Sequence, residues 1–185
     1  MASEPGGCTV WAWRHPRPRG AEGRCIGRTD LPVDRRRAKR LARRIQRVAR
    51  RHGLGRVVHT SPLRRCRDVG RWLRAWGWTH HIDDRLLEAS FGRWEGRPWS
   101  DIPRAEIDAW CGAFVDRAPS DGEPLSALLQ RARTWAPREI TGPHCVVVAH
   151  AGWMSARHWL RTRGETPPRA EDWPAPPGYR ELRQL

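Results

Sequence analysis

Thr9-Val10-Trp11-Ala12-Trp13 is apolar along its length and stops abruptly at Arg14-His15-Pro16. Such a run predicts a first strand at the centre of a sheet, delivering Arg14 and His15 at its carboxyl end. Cys145-Val146-Val147-Val148-Ala149 is a second run of this kind, nearly all apolar as parallel strands covered on both faces are, and it ends at His150-Ala151-Gly152. Two buried strands that each terminate in a histidine are a strong constraint. In open α/β sheets the carboxyl ends of parallel strands share one rim, and ligands collect there.

The segments between these runs alternate in period. Asp34 is placed to cap a helix to about His52, with Ala38, Leu41, Ala42, Ile45, Val48 and Ala49 three and four apart and Gly53 as its stop. Arg56 to Ser61 reads as a short strand. Pro62 starts the following helix, on which Leu63, Cys66, Val69, Leu73 and Trp76 recur at helical spacing. His81 to Asp84 reads as an edge strand leading into a glycine-punctuated loop, Leu86 to Gly96, with Glu88 and Glu95 among aromatics. Covering helices are expected from Ser100 through Ile107, Trp110 and Phe114, and from Glu123 to Trp135. Another helix runs from Trp153 to about Thr162, and a last short strand follows near Arg180 to Leu185. Strands alternating with helices imply a three-layer α/β/α sandwich around a mostly parallel central sheet. At 185 residues the chain suits a single domain over 1–185.

The chain carries 35 Lys plus Arg against 20 Asp plus Glu, a formal charge of +15, which favours anionic partners. Lys39 is the only lysine and asparagine is absent, so the arginine excess reads as compositional bias rather than as a nucleic-acid site. The arginines that crowd the helix after Asp34 are the rival reading, a basic patch for nucleic acid, whose binding would fall steeply with salt. Cys8, Cys25, Cys66, Cys111 and Cys145 are scattered, with no Cys-x-x-Cys pair for zinc or redox work, and are expected as buried reduced thiols. Glu4, Gly6 and Gly7 stand where a signal peptide needs an apolar segment, and no run approaches the ~18 apolar residues of a membrane span. A cytoplasmic protein is expected.

Three predicted strand ends thus offer Arg14 with His15, Ser61 with the nearby Arg64 and Arg65, and His150, and the glycine-punctuated loop offers Glu88. Two arginines and two histidines around one point bind a dianionic phosphate and stabilise the charge of a transferring phosphoryl group. A histidine can be the nucleophile and a carboxylic acid can protonate the leaving oxygen, with no metal or other cofactor required. Arg64 is turned about 100° away from Arg65 on a helix and is left out of the set.

The series Arg14-His15, Thr60-Ser61-Pro62-Leu63-Arg64-Arg65-Cys66, Glu88 to Gly96 and Val148-Ala149-His150-Ala151-Gly152 resembles, in order and spacing, the histidine phosphatase superfamily in its phosphoglycerate-mutase-like branch. Gly27-Arg28-Thr29-Asp30-Leu31-Pro32 and the run from Phe91 to Trp99 look most like the α-ribazole phosphatases. The resemblance implies a phosphoglycerate-mutase-like fold, with His15 as phosphorylated nucleophile. Arg14, Arg65 and His150 would complete the phosphate pocket, Glu88 would be the proton donor, and Arg28, Thr29, Arg93 and Trp94 would bind substrate. A small phosphorylated metabolite is the partner so implied, with no nucleic acid or membrane, for a monomer or homodimer. A broad-specificity sugar or nucleotide phosphatase or a phosphoglycerate mutase shares the same pocket, although the chain lacks the mutases' long insert. Two positions depart from the pattern. Pro16 stands where the family usually has glycine, and Asp121-Gly122-Glu123-Pro124 replaces the usual Gly-Gly-Glu-Ser, which puts Glu123 in doubt as a substrate ligand. Trp94, Trp99 and Trp153 are the candidates for stacking on a flat leaving group.

Overall fold

A computed structural model describes residues 8–185; Glu4, Gly6 and Gly7 lie outside the described residues. The central sheet has five strands: β1 (Thr9–Arg14), β2 (Val57–Thr60), β3 (Thr79–Ile82), β4 (His144–Ala149) and β5 (Leu182–Gln184), in the order β3-β2-β4-β1-β5. The first four are parallel and β5 runs antiparallel along β1. The middle strand is therefore β4, not β1; β1 lies beside it as an inner strand because the carboxyl-terminal strand β5 covers its other edge. The predicted edge strand does lie at an edge, but two residues earlier than expected: Trp78 is buried ahead of it, and the Asp83 side chain, accepting from Arg85 N–H, turns the chain out of the strand.

Side-chain alternation along the strands builds the two cores. Trp11, Trp13, Val58, Val146 and Val148 face α1 (Arg35–His52) and α2 (Arg64–Ala75), which contribute Leu41, Ile45, Val69 and Leu73. Val10, Ala12, Cys145 and Val147 face the other way, onto Leu128 and Ala132 of α4 (Leu125–Thr134) and Trp153, Met154 and Ala156 of α5 (Ala151–Arg163). This is the expected three-layer sandwich. Helix α1 begins where Asp34 accepts from the N–H groups of Arg36 and Arg37 and ends at Gly53 with φ 63°, a left-handed cap that glycine adopts without strain.

Helix α3 (Arg104–Gly112) stops before Phe114 and buries none of its residues in the sheet core. It lies instead over a third cluster made by Cys25, Trp94 and Ile102, to which Ile107 and Trp110 add. The cysteines depart in part from expectation: Cys25, Cys66 and Cys145 are buried, Cys8 is half-buried and Cys111 is exposed. Among the described residues no helix is long and apolar enough to cross a membrane.

Candidate active site

His15 leaves the end of β1 with its backbone N–H on Ala149 O, and its ring is almost wholly buried. Its Nδ1 lies 2.8 Å from the carbonyl oxygen of Pro16. A carbonyl only accepts, so the neutral ring carries its proton on Nδ1 and leaves a lone pair on Nε2. Burial, and then the Arg65 and Arg14 guanidiniums, hold the pKa of His15 well below the ordinary 6.5. An unprotonated nitrogen in a cationic surround is thus set by burial, one backbone contact and two arginines.

His150 follows β4 as the N-cap of α5 and is fully buried, its ring centroid 5.0 Å from that of His15. Its Nδ1 accepts from Arg65 Nε at 3.3 Å, which fixes the opposite tautomer, and its Nε2 lies 3.4 Å from Cys66 Sγ. Burial and then Arg65 also hold its pKa well below 6.5.

Arg65, in the first turn of α2, is 1 % exposed. Its Nη1 donates to Thr29 O at 2.7 Å and its Nη2 to Gly27 O. Arg64 is exposed, as the helical turn predicts. Arg14 is anchored from the far end of the chain: Nη1 donates to Pro177 O at 2.7 Å and the guanidinium carbon sits 4.0 Å above the ring of Tyr179. Its Nε is buried and has no partner among the described residues, an unpaired donor of the kind an anion takes.

The Glu88 carboxylate is held by two backbone donors, Ala89 N–H on Oε1 and Gly152 N–H on Oε2, each at 3.0 Å. Gly152 lies in the first turn of α5, so its N–H has no partner within the helix and is free to hold Glu88. A Cβ at Gly152 would fall 2.2 Å from Glu88 Oε1, so glycine is what allows this approach. The Glu88 backbone is held from behind. Arg131 of α4 donates to Arg85 O, Leu87 O and Glu88 O, while its Nε and Nη2 grip both oxygens of Glu123 at 2.8 Å. Arg28 completes the clamp, with Nη2 3.1 Å from Glu123 and Nε on Glu88 O at 3.2 Å.

Arg14, His15, Arg65, Glu88 and Glu123 line one cavity of about 650 Å³. The structure brings together the five residues expected as catalytic, with His150 behind the cavity wall rather than in it. Of the four expected as substrate ligands, Arg28, Thr29, Arg93 and Trp94, none lines the cavity. The tight turn at Gly92–Trp94 sends Trp94 inward, where it is 1 % exposed with Nε1 on Glu106, and sends Arg93 outward toward Asp121. Thr29 bonds to Glu95 instead. Of the other stacking candidates, Trp99 lines the cavity and Trp153 is core. The aromatic wall is a chain of contacts that spacing does not disclose: Trp99, Phe91, Trp110, Phe114 and Trp173, with ring centroids 5.4–6.1 Å apart. Tyr179, the single tyrosine of the sequence, and Arg131 were likewise invisible, one in a proline-rich tail and the other a routine helix position.

The match to an adenosylcobalamin/alpha-ribazole phosphatase of Salmonella typhimurium is 30% identical over 123 residues, covering 63% of this chain and 59% of that protein. A bifunctional protein of Mycobacterium tuberculosis is 33% identical over 98 residues, 51% of this chain but 27% of its own length. The chain thus spans less than two thirds of the curated relatives it matches. Among solved structures, the alpha-ribazole phosphatase from Shigella flexneri superposes with a TM-score of 0.72 at 24% identity, covering 94% of this chain and 88% of that one. A mycobacterial glucosyl-3-phosphoglycerate phosphatase gives 0.72 at 24% identity, with 97% and 90% covered. These likenesses carry the fold.

Neutral, buried His15 and His150 make stability depend on pH. Both folded pKa values lie below the unfolded one, so below about pH 6.5 the unfolded chain takes up protons that the folded chain refuses, and stability falls as the pH falls. Each group contributes a slope approaching ~1.4 kcal/mol per pH unit in that range. Urea unfolding at pH 7.5 and 5.5 is expected to give a smaller pH loss for His15→Asn than for the unaltered chain; an equal loss would mean that His15 titrates normally. Residues 10–174, which hold every side chain of the site apart from Tyr179, match the model of the histidine phosphatase superfamily (branch 1), and the chain belongs to that superfamily.

Proposed function

We propose that this chain is a phosphomonoesterase that works through a phosphohistidine on His15, and that its substrate is α-ribazole 5′-phosphate, released as α-ribazole and inorganic phosphate. The observation that carries the chemistry is the unprotonated Nε2 of His15, left free by the Nδ1 contact to Pro16 O and flanked by Arg14 and Arg65. Nε2 attacks phosphorus in line with the leaving alcohol. The free N–H of Arg14 and the guanidinium of Arg65 take the phosphoryl oxygens and their developing charge, with His150 closing the pocket behind them. Glu88, entering in its protonated form, gives that proton to the departing alkoxide as the P–O bond breaks; the resulting carboxylate then takes a proton from the water that attacks phosphorus and releases His15 Nε2.

The substrate reading is supported by the aromatic wall and by the curated relative's name. The arginines fix only the dianion, so preference for one alcohol over another rests on the rest of the cavity. A volume of about 650 Å³ holds a nucleotide-sized ligand, and the edges and faces of Trp99, Phe91, Trp110, Phe114 and Trp173 suit a flat, largely apolar base. A sugar or a glycerate would leave most of that apolar surface exposed to water, without the gain from its burial.

Rapid quenching with 32P-labelled substrate is expected to trap an acid-labile, base-stable adduct that His15→Ala cannot form; label on serine or cysteine, or an active His15→Ala chain, would overturn the nucleophile. Glu88→Gln is expected to lose more kcat on alkyl phosphates, whose alkoxide needs a proton, than on aryl phosphates. Equal losses on both would remove Glu88 as the direct donor. For the substrate, kcat/KM on α-ribazole 5′-phosphate should exceed that on 3-phosphoglycerate, glucosyl-3-phosphoglycerate, ribose 5-phosphate and AMP by more than about tenfold, ~1.4 kcal/mol of transition-state binding. A smaller ratio would leave a general phosphomonoesterase.

A further inference from the structure

Glu95 touches neither the cavity nor any of the five residues expected as catalytic, yet no carboxylate in the described residues accepts more hydrogen bonds. Oε1 accepts from Arg28 N–H at 2.7 Å and Phe91 N–H at 3.2 Å; Oε2 accepts from Gly27 N–H at 3.1 Å, Thr29 N–H at 3.0 Å and Thr29 Oγ1 at 2.5 Å. Three consecutive amides of the Gly27–Thr29 segment therefore point at one carboxylate. The carbonyls of Gly27 and Thr29 both accept from Arg65. The peptide group between Gly27 and Arg28 joins the two sides: its N–H is on Glu95 and its C=O is on the Arg65 guanidinium.

We propose that Glu95 is a positioning residue for Arg65, acting through that peptide group and its neighbour at Thr29. A half-buried carboxylate and a buried guanidinium that never meet are coupled through an aligned peptide dipole, and each bond in such a chain polarises the next. The Arg28 N–H bonded to a negative charge leaves the Gly27 carbonyl oxygen a stronger acceptor for Nη2 of Arg65, while the Thr29 N–H and Oγ1 bonds to Glu95 fix the residue whose own carbonyl holds Nη1. Gly27 is required for the approach, because a Cβ there would lie 2.4 Å from Glu95 Oε1 and 2.1 Å from Ala89 O. The bonds to Thr29 and to the Arg28 and Phe91 amides outweigh burial and hold the Glu95 pKa below the usual carboxylate value, so the charge persists through the working pH range. The same segment carries Arg28, whose Nε supports Glu88 O, so one carboxylate braces both sides of the site.

The inference rests on Arg65 binding phosphate, and the experiment separates the two claims. Inhibition by inorganic phosphate and kcat/KM on an aryl phosphate are measured for Glu95→Gln, Glu95→Asp, Arg65→Lys and the Glu95→Gln/Arg65→Lys double variant, with melting temperatures alongside. Losing hydrogen bonds to a charged group corresponds to about ten- to a hundredfold, so Glu95→Gln is expected to weaken phosphate inhibition and kcat/KM by that order. Glu95→Asp, which keeps the charge, should recover part of both, and the double variant should fall within about twofold of Arg65→Lys alone, the non-additivity of residues acting as a unit. A carboxylate that only staples a turn would lower the melting temperature and leave the phosphate inhibition constant unmoved. That result, or a double-variant loss equal to the product of the single losses, overturns the proposal. Unchanged inhibition in Arg65→Lys would instead overturn the phosphate-binding role of Arg65. Should Glu95→Gln fail to fold, Thr29→Val removes one of the five donors and is expected to weaken phosphate inhibition about threefold or more; no weakening there counts against the proposal.

Discussion

The parallel ladder between β1 and β4 runs from Thr9 opposite His144 to Arg14 opposite Ala149, so the residues that leave the two strands side by side are His15 and His150. A slip of one residue along β1 would exchange Trp11 and Trp13 for Val10 and Ala12 between the two cores and separate the two rings. The packing of large and small side chains that opposes the slip is therefore also what holds the imidazoles 5.0 Å apart. Packing and site geometry are set by the same register.

Around that pair, the charged groups are held mainly by backbone. Pro16 O sets the His15 tautomer, Gly27 O and Thr29 O hold Arg65, Pro177 O anchors Arg14, and two amides hold Glu88. Backbone dipoles of a folded segment cannot reorient without unfolding it, so they are pre-aimed in a way that flexible side chains are not. The arrangement also accounts for the density of positive charge the site tolerates. Arg14 and Arg65 stand beside two histidines that remain neutral because protonating either one would bury a further cation. Neither of the carboxylates Glu95 and Glu123 cancels charge by direct pairing with Arg14 or Arg65: Glu95 orders the segment whose carbonyls hold Arg65, and Glu123, at the cavity wall, pairs with Arg131 and Arg28 behind Glu88.

Much of this was legible in the amino-acid sequence. Apolar runs gave the strands, the three- and four-residue spacing gave α1 and α2, and the residues at the strand ends, with Glu88 in its glycine-punctuated loop, named the five side chains that the structure brings together. These features are local, and local steric and burial preferences decide them. The chemistry followed because few residue types can hold a phosphate dianion, and they stood at the places a parallel sheet gathers along one rim.

What only the tertiary structure decided depends on contacts between distant segments. The wall of the cavity joins Phe91 and Trp99 to Trp110, Phe114 and Trp173, and no spacing in the sequence marks those rings as neighbours. Arg93 and Trp94 were exchanged between outside and inside by the phase of a single tight turn, which composition does not specify. Tyr179 reaches Arg14 because β5 pairs antiparallel with β1 and brings the proline-rich tail back over the site, making β1 an inner strand instead of an edge one as it does so. Glu95 meets amides some 66 to 68 residues earlier in the chain. The sequence determines which groups are available and which strand ends they stand at; which of them touch, and with which proton on which nitrogen, is decided only when the loops close.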